Sequence, residues 1–464
     1  EVIASGKPIS KLREYPELGQ FDSGLPHFSQ KSEWSGATPA DHSDALHAAL
    51  LGPFTKRLGT SADRAPDPPG SWLALLDHVE ADERIGRHFG FHEEETSDPR
   101  TWREYRRWHV GLLVCSLVDR LIHLSGSTEF DAATFELLYA EWIAAVVPDR
   151  LPIELIVPLV LVTSDVESFA LSDRISFRKL DTPLQLARNT QRSFTSSAHE
   201  VVIGAATHAL FLSGWFVPNA TGSERDNTLF SADAFEPVRD SLEMAMAALR
   251  VASGASFGYA QLIARPVGWA DRWKAGLPTV YVSSVRAYPD HFENYGWLRP
   301  PDRLDESHCT KARVVLQALT GGSAPQLAFA ARRLNLAFIR SSTEDAIVDA
   351  TIGLEALVSD KSPAEISYKF RMRLAALAAA GRFEELSPRD VSRLTKEIYA
   401  LRSKVVHGHS KPRRNDLARP GVIAPVEKVQ AGLRLLRLAI AALAENPELR
   451  DAAKLDEALL DLCP

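Results

Sequence analysis

The segment EIYALRSKVVHGH, Glu397 to His409, decides how the C-terminal third of this chain is read. It carries a permanently charged arginine, Arg402, and a titratable histidine, His407, with four residues between them and Gly408 directly after. Upstream and through it, Val391, Leu394, Ile398, Leu401 and Val405 recur at intervals of three and four, the seam that a helix turns toward a core. At about 100° per residue, Arg402 falls on the flank of that seam and His407 lies roughly 140° further round. Tyr399, Ser403 and Val406 fall between them, so the helix has a second, half-apolar face suited to contact with another helix or subunit. Gly408 can take the left-handed conformation that ends a helix. That places His407 at the helix C-terminus, where the negative end favours the protonated imidazole.

Outward from this helix the pattern is helical throughout residues 301–464. Leu304–Thr320 is stopped by Gly321-Gly322, and Pro325–Arg340 follows. Ser342 offers an N-cap, with Asp345 at the capping-box position, for DAIVDATIGLEALVSD. Pro363–Ala380 ends at Gly381, Ser387-Pro388 opens the helix that runs into His407, and Pro425–Glu445 closes the set. Most connections are short, as antiparallel helical neighbours require. The stretch after His407 is long enough for a functional loop. Among the acidic residues of the third helix, Glu344 and Asp345 suit a helix N-terminus and Asp349 is expected to be exposed. Glu355, inside the apolar run IGLEAL, needs a cation if it is buried, and Arg402 is one candidate.

The rest of the chain divides by pattern. Residues 1–70 read as an irregular arm rich in Gly, Pro and Ser, with a short helical piece near Asp44–Leu58 and the Pro-rich connector TSADRAPDPPG. Residues 71–147 are helical, with apolar stripes through Trp72, Leu73, Leu75, Leu76 and Val79, through Leu112, Leu113, Leu117, Leu121 and Ile122, and through Phe135, Leu138, Trp142 and Ile143. From Pro148 the character changes. IELIVPLVLVTS, ISFRKL, THALFLSGWFV, YAQLIARPV and TVYVSSVRAY read as strands, with the helix EPVRDSLEMAMAALRVA among them. The expected fold is therefore mixed: a helical N-terminal region, an α+β middle domain over 148–300 and an all-α bundle over 301–464.

With 464 residues, 45% of them hydrophobic, the chain can bury a substantial core in two or three domains. A net charge of −7 excludes a protein that coats nucleic acid over its whole surface, so any polyanion site must be a local basic patch. The three cysteines, Cys115, Cys309 and Cys463, are far apart and form no CxxC. They point to a reducing, cytoplasmic setting and to neither a disulfide scaffold nor a structural zinc. No apolar run approaches the ~18 residues of a membrane span. Glu1 is not a methionine, so the native start and any removed targeting peptide stay open.

Arginine and histidine at this spacing are common here: Arg87…His92, Arg103…His109, Arg192…His199, Arg286…His291 and Arg303…His308 all qualify. What distinguishes Arg402…His407 is the setting at the end of a long bundle helix. DAIVDATIGLEALVSD, EISYKFRMRLAAL and EIYALRSKVVHG, in that order and at those separations, resemble the Apea-like branch of the HEPN superfamily over about a third of the chain. The resemblance implies a HEPN-type bundle in which an Arg-x4-6-His pair from each of two protomers meets across a dimer interface and cuts RNA without metal or cofactor. Arg402 would then be the phosphate clamp and His407 the acid/base residue, with Ser403 in the polar position after the arginine and Glu355 and Tyr399 in support. The chemistry suits the residues. RNA supplies its own 2′-hydroxyl nucleophile, histidine moves the protons near neutrality, and an arginine fork stabilises the phosphoryl charge.

After the motif the chain is basic, with six Lys/Arg and one acidic residue between Arg402 and Arg419. Lys404, His409, Lys411, Arg413 and Arg414 form a candidate RNA-contacting strip, against the bland alternative of a solvated loop. His409 stands where some HEPN toxins carry a tyrosine that a partner can modify. The resemblance implies a regulated, toxin-like defence or stress effector, dimeric through its bundle, with a protein or phage-derived trigger sensed by the N-terminal region. The alternative is a non-catalytic HEPN module, a nucleic-acid or nucleotide-binding sensor or scaffold.

Three other constellations carry less. GASFG, Gly254 to Gly258, matches a nucleophile elbow around Ser256, but a helix precedes it and a strand follows, the wrong order. Of His78, His88 and His92, the last two are one turn apart, but Gly90 lies between them and no third ligand stands at metal-site spacing. TWREYRRWHVG, Thr101 to Gly111, reads as the polar face of an amphipathic helix more readily than as a base-stacking platform.

Overall fold

The computed structural model describes residues 11–35, 51, 70–91, 99–190, 198–219, 228–274, 276–322, 324–360, 366–383, 386–406 and 425–460. Among them the fold is mixed, with fourteen α-helices and a six-stranded sheet in the middle of the chain.

The sheet runs in the order β5-β6-β7-β3-β8-β9, antiparallel throughout. Its strands are β3 (Arg150–Val160), β5 (Ser168–Ala170), β6 (Ile175–Lys179), β7 (Ala206–Pro218), β8 (Gly258–Pro266) and β9 (Tyr281–Ala287). Four of the five apolar stretches read as strands lie in this sheet, and the fifth, IELIVPLVLVTS, is split at Leu161 between β3 and a short strand, Val162–Ser164, outside it; the three-residue edge strand β5 is too short to carry a pattern. Central strand β3 is covered on both faces, which is why it reads as a nearly unbroken apolar run. Leu155, Val157 and Leu159 point to one core and Ile156 and Val160 to the other, the two-residue period of a strand. Pro158 sits inside it without breaking the ladder, because the β3/β8 register slips between Ile156 and Leu159, where its missing N–H is not required.

The stretch 1–44 was expected to be irregular, and part of it is not. Strand β1 (Lys11–Gln20) pairs antiparallel with β2 (Pro26–Ser35), from Lys11 opposite Ser35 to Gln20 opposite Pro26. Gly24, at φ 84°, allows the turn, closed by Phe21 N–H to Leu25 O at 2.9 Å. Leu25 inserts among the side chains beneath the sheet. The strands alternate poorly, so only long-range packing defines them. The helical piece near Asp44–Leu58 lies outside the described residues except for Leu51.

Beneath the same sheet face lie α5 (Thr182–Thr190) and α6 (Glu200–Gly204), held by the fully buried Arg188. Its guanidinium donates to Gln185 Oε1, Ile203 O, Gln261 Oε1 and Gly204 O at 2.7–3.1 Å, and lies over the Phe28 ring of the hairpin. Two of those carbonyls end α6, so the cation also meets the negative end of a helix. The N-terminal helices α1 (Gly70–Ala81), α2 (Glu83–His88), α3 (Pro99–Ser125) and α4 (Ala132–Val146) share a separate core through Trp72, Leu76, Val110, Leu138 and Trp142, joined by Trp273.

The other sheet face carries α7 (Ala232–Ser253), which packs in turn on α8 (Glu306–Thr320) and α9 (Pro325–Ile339). The remaining helices are α10 (Thr343–Val358), α11 (Ile366–Ala380), α12 (Pro388–Val406), α13 (Pro425–Glu445) and α14 (Ala452–Leu460). One continuous core runs from Leu155 and Phe177 in the sheet, through Leu242 and Leu249 of α7, to Leu354, Ile398, Leu436 and Leu455. The short β10 (Asp302–Leu304) pairs in parallel with β4 (Val162–Ser164), tying the start of the helical region to the sheet. Buried Arg250 of α7 makes the same join with side chains. It donates to Asn335 Oδ1 of α9 at 2.6 Å and to Phe257 O at 2.7 Å, between the rings of Phe257 and Phe338. Position 300 therefore separates patterns of sequence, not cores.

Candidate functional site

Helix α12 opens as its sequence directs. Ser387 Oγ accepts from the Asp390 N–H at 3.2 Å and donates to the Asp390 carboxylate at 2.6 Å, which holds that carboxyl below its usual range. Pro388 follows at the first turn. Val391 and Ile398 are buried, while Leu394, Leu401 and Val405 pack partly against the main core, so the expected seam faces inward. Thr395 is buried with them, its hydroxyl without a hydrogen-bond partner among the described residues, a polar group that the seam pattern does not reveal.

Arg402 lies in the penultimate turn of α12, half-buried, and its Nε has no hydrogen-bond partner among the described residues. Its guanidinium carbon is 6.0 Å from the centre of the Tyr399 ring, itself tilted against Phe370 at 5.8 Å. Tyr399 thus supports Arg402 from one turn below. Glu355 of α10 is also half-buried. Burial pushes its carboxyl above the ordinary range, and the nearby positive charge of Arg402 pulls it partway back. The two side chains feel each other's charge, yet no hydrogen bond or ion pair joins them among the described residues. The cation expected for Glu355 is therefore present as a neighbour rather than as a bonded partner.

Ser403 is half-buried, Lys404 is exposed, and Val406 is 53% exposed on the last described turn. His407, His409, Lys411, Arg413 and Arg414 lie outside the described residues. Of the proposed constellation the structure thus brings together Arg402, Tyr399, Ser403 and Glu355, with Lys404 at the rim. Glu397, on the same helix, is engaged by Arg393 at 3.7 Å and by Lys428 of α13 at 3.8 Å.

No family model, curated protein or solved structure matches this chain.

Asp349, expected to be exposed, is 3% exposed and carries a bonded pair of cations. Its two oxygens accept from Arg333 Nη1 and Arg340 Nε, both at 2.8 Å. The helical pattern gives no hint of this, since the partners come from α9 and from the residue that caps it. Ser342 caps α10 as expected, accepting from the Asp345 N–H at 3.2 Å.

GASFG has the order read from sequence. Gly254 ends α7 in the left-handed region at φ 69°, and β8 starts at Gly258. Among the described residues no group of three or more His, Cys, Asp or Glu is placed to hold a metal, and no helix is long and apolar enough to cross a membrane. Cys115 and Cys309 are buried, which pushes their thiols up to about 12 and about 11, away from reactivity at neutral pH. In α3, Arg103 and Arg107 pair with Glu80 of α1, while Trp102, Tyr105 and Trp108 stack on one another along the helix.

Proposed function

We propose that residues 301–464 are a HEPN-type bundle acting as a metal-independent endoribonuclease, with Arg402 and His407 of two protomers forming a composite site. Residues 148–300 would serve as the sensing part of a defence or stress effector, and the core that the sheet shares with the bundle gives them a direct mechanical link to the cutting helix. The observation that carries this reading is Arg402. It is a guanidinium beside its ring neighbour and in the field of Glu355, near the end of a helix whose last turn, partly exposed, precedes His407, and its Nε has no hydrogen-bond partner among the described residues.

In the reaction, a neutral His407 imidazole takes the proton of the RNA 2′-hydroxyl as that oxygen attacks the adjacent phosphorus. The phosphorus–5′-oxygen bond breaks, and the imidazolium of the second copy protonates the leaving oxygen. Arg402 stabilises the extra charge on the phosphoryl oxygens during the exchange. The products are a 2′,3′-cyclic phosphate and a 5′-hydroxyl, with no water or metal consumed. Lys404 would lead the phosphate-contacting strip at the mouth of the site.

The end groups test this chemistry. RNA cut by the full chain in EDTA should carry 2′,3′-cyclic phosphate and 5′-hydroxyl ends. Products with 5′-phosphate and 3′-hydroxyl ends would contradict it, because water and not the 2′-oxygen would then be the nucleophile.

A further inference from the structure

A cavity of about 230 Å³ is lined by residues of α7, of α9 and of the two strands β8 and β9 at one side of the sheet, where the middle of the chain meets the bundle. A void of ~150 Å³ is enough to hold benzene, so this one has room for a ring with a polar substituent. Its lining is apolar at Leu242, Met246, Leu336 and Ile339 and includes the polar side chains of Glu243 and Tyr259.

The other polar members of the lining are already engaged. Arg250 donates to Asn335 Oδ1 at 2.6 Å and to Phe257 O, Asn335 Nδ2 donates to Glu243 O at 2.7 Å, and Arg332 donates to Asp240 at 3.2 Å. Tyr259 and the Glu243 carboxylate differ. Among the described residues neither the Tyr259 hydroxyl nor the Glu243 carboxylate has a hydrogen-bond partner, and the carboxylate has only an ion pair with Arg332 Nε at 3.6 Å. Burial raises both groups above their ordinary ranges, and the Glu243 charge acts on the phenol, so the two are near one another. At neutral pH the phenol keeps its proton. The cavity therefore offers a hydroxyl donor without an acceptor beside a carboxylate acceptor without a donor.

The charges around this pair cancel. Arg239, Arg250 and Arg332 are matched by Glu236, Asp240 and Glu243 itself. A cationic ligand would meet the arginines and an anionic one the carboxylates, whereas an uncharged ligand meets neither cost.

We propose that this cavity binds a small uncharged ring compound with an amide-type edge, its N–H donating to the Glu243 carboxylate and its C=O accepting from the Tyr259 hydroxyl. The ring would lie against the aliphatic lining, and the ligand would touch the sheet and the bundle at once. The site is independent of the ribonuclease reading.

Titration of the full chain with benzamide, followed by ligand-observed NMR, tests it against three probes of similar shape. Benzamidine is cationic, benzoate is anionic, and acetophenone lacks the N–H. Saturable binding of benzamide, at least tenfold tighter than each of the three, is expected. Tyr259→Phe, which removes only the hydroxyl, should weaken benzamide about tenfold and leave the melting temperature of the free protein unchanged. Leu336→Trp, which fills the cavity from an exposed position, should abolish binding with an unchanged circular dichroism spectrum. Absence of benzamide binding, any of the three other probes binding as tightly, or benzamide binding undiminished in either folded variant would overturn the proposal.

Discussion

Helix α10 carries two carboxylates six residues apart, and the bundle treats them in opposite ways. Asp349 is buried with both oxygens bonded to arginines, Arg333 and Arg340, so its charge is fully compensated. Glu355 is half-buried near Arg402, and among the described residues no bond joins them and the guanidinium Nε has no hydrogen-bond partner; burial holds the Glu355 carboxyl above its ordinary range. The first arrangement is what a structural ion pair requires, since breaking a buried pair costs far more than forming it gains. The second leaves the Arg402 Nε without a hydrogen-bond partner among the described residues and the Glu355 carboxyl raised above its ordinary range. A carboxyl shifted by burial beside a specific charge is the kind of place where a functional site is sought.

Substitutions separate the two arrangements. Asp349→Ala should show the largest loss, about 3 kcal/mol in urea unfolding, at the low end for a broken buried pair because both arginines reach solvent. Arg402→Ala should cost no more than about 1 kcal/mol in the same measurement. Equal losses would erase the distinction between the two sites.

Glu355→Gln should act with the opposite sign. A carboxyl raised in the folded state contributes stability that is fully present below its ordinary value of 4.5 and is lost as pH rises through the raised value. At neutral pH the native protein therefore carries a cost that glutamine removes. The variant should be more stable than wild type by up to about 1 kcal/mol at neutral pH, after solvent screening, and the gain should fade as pH falls below that of the free carboxyl. A destabilised variant at neutral pH would instead make Glu355–Arg402 a structural pair like Asp349. The smallest effect belongs to Lys404→Ala, which should weaken RNA binding only a few-fold and lower the salt dependence by about one ion, without changing the melting temperature.

Much of the fold was legible because period and composition are local. The apolar runs of β3, β7 and β8 and the three-four spacing of Val391, Leu394, Ile398, Leu401 and Val405 each appear in the structure as read. What stayed hidden depends on distant partners. The hairpin at Lys11–Ser35 is set by its docking, with Leu25 under the sheet and Phe28 under Arg188. Asp349 looked solvent-facing because neither Arg333 nor Arg340 lies on its own helix. The shared sheet–bundle core was invisible for the same reason, as α7 reads like any amphipathic helix whichever surface it covers. At the candidate site, Glu355 announced itself as a charge inside an apolar run, and Arg402 as its neighbour. That they would sit close without bonding is a matter of side-chain geometry that no spacing encodes.

The decisive measurement is the rate of RNA cleavage in EDTA by wild type, Arg402→Ala and His407→Ala, compared at equal folded fraction. Wild type should cut, and each substitution should lower the rate at least ~100-fold, the scale of losing one charge-stabilising donor or one acid/base group. Cleavage that survives both substitutions, or that needs a divalent metal, would contradict the assignment of Arg402 and His407.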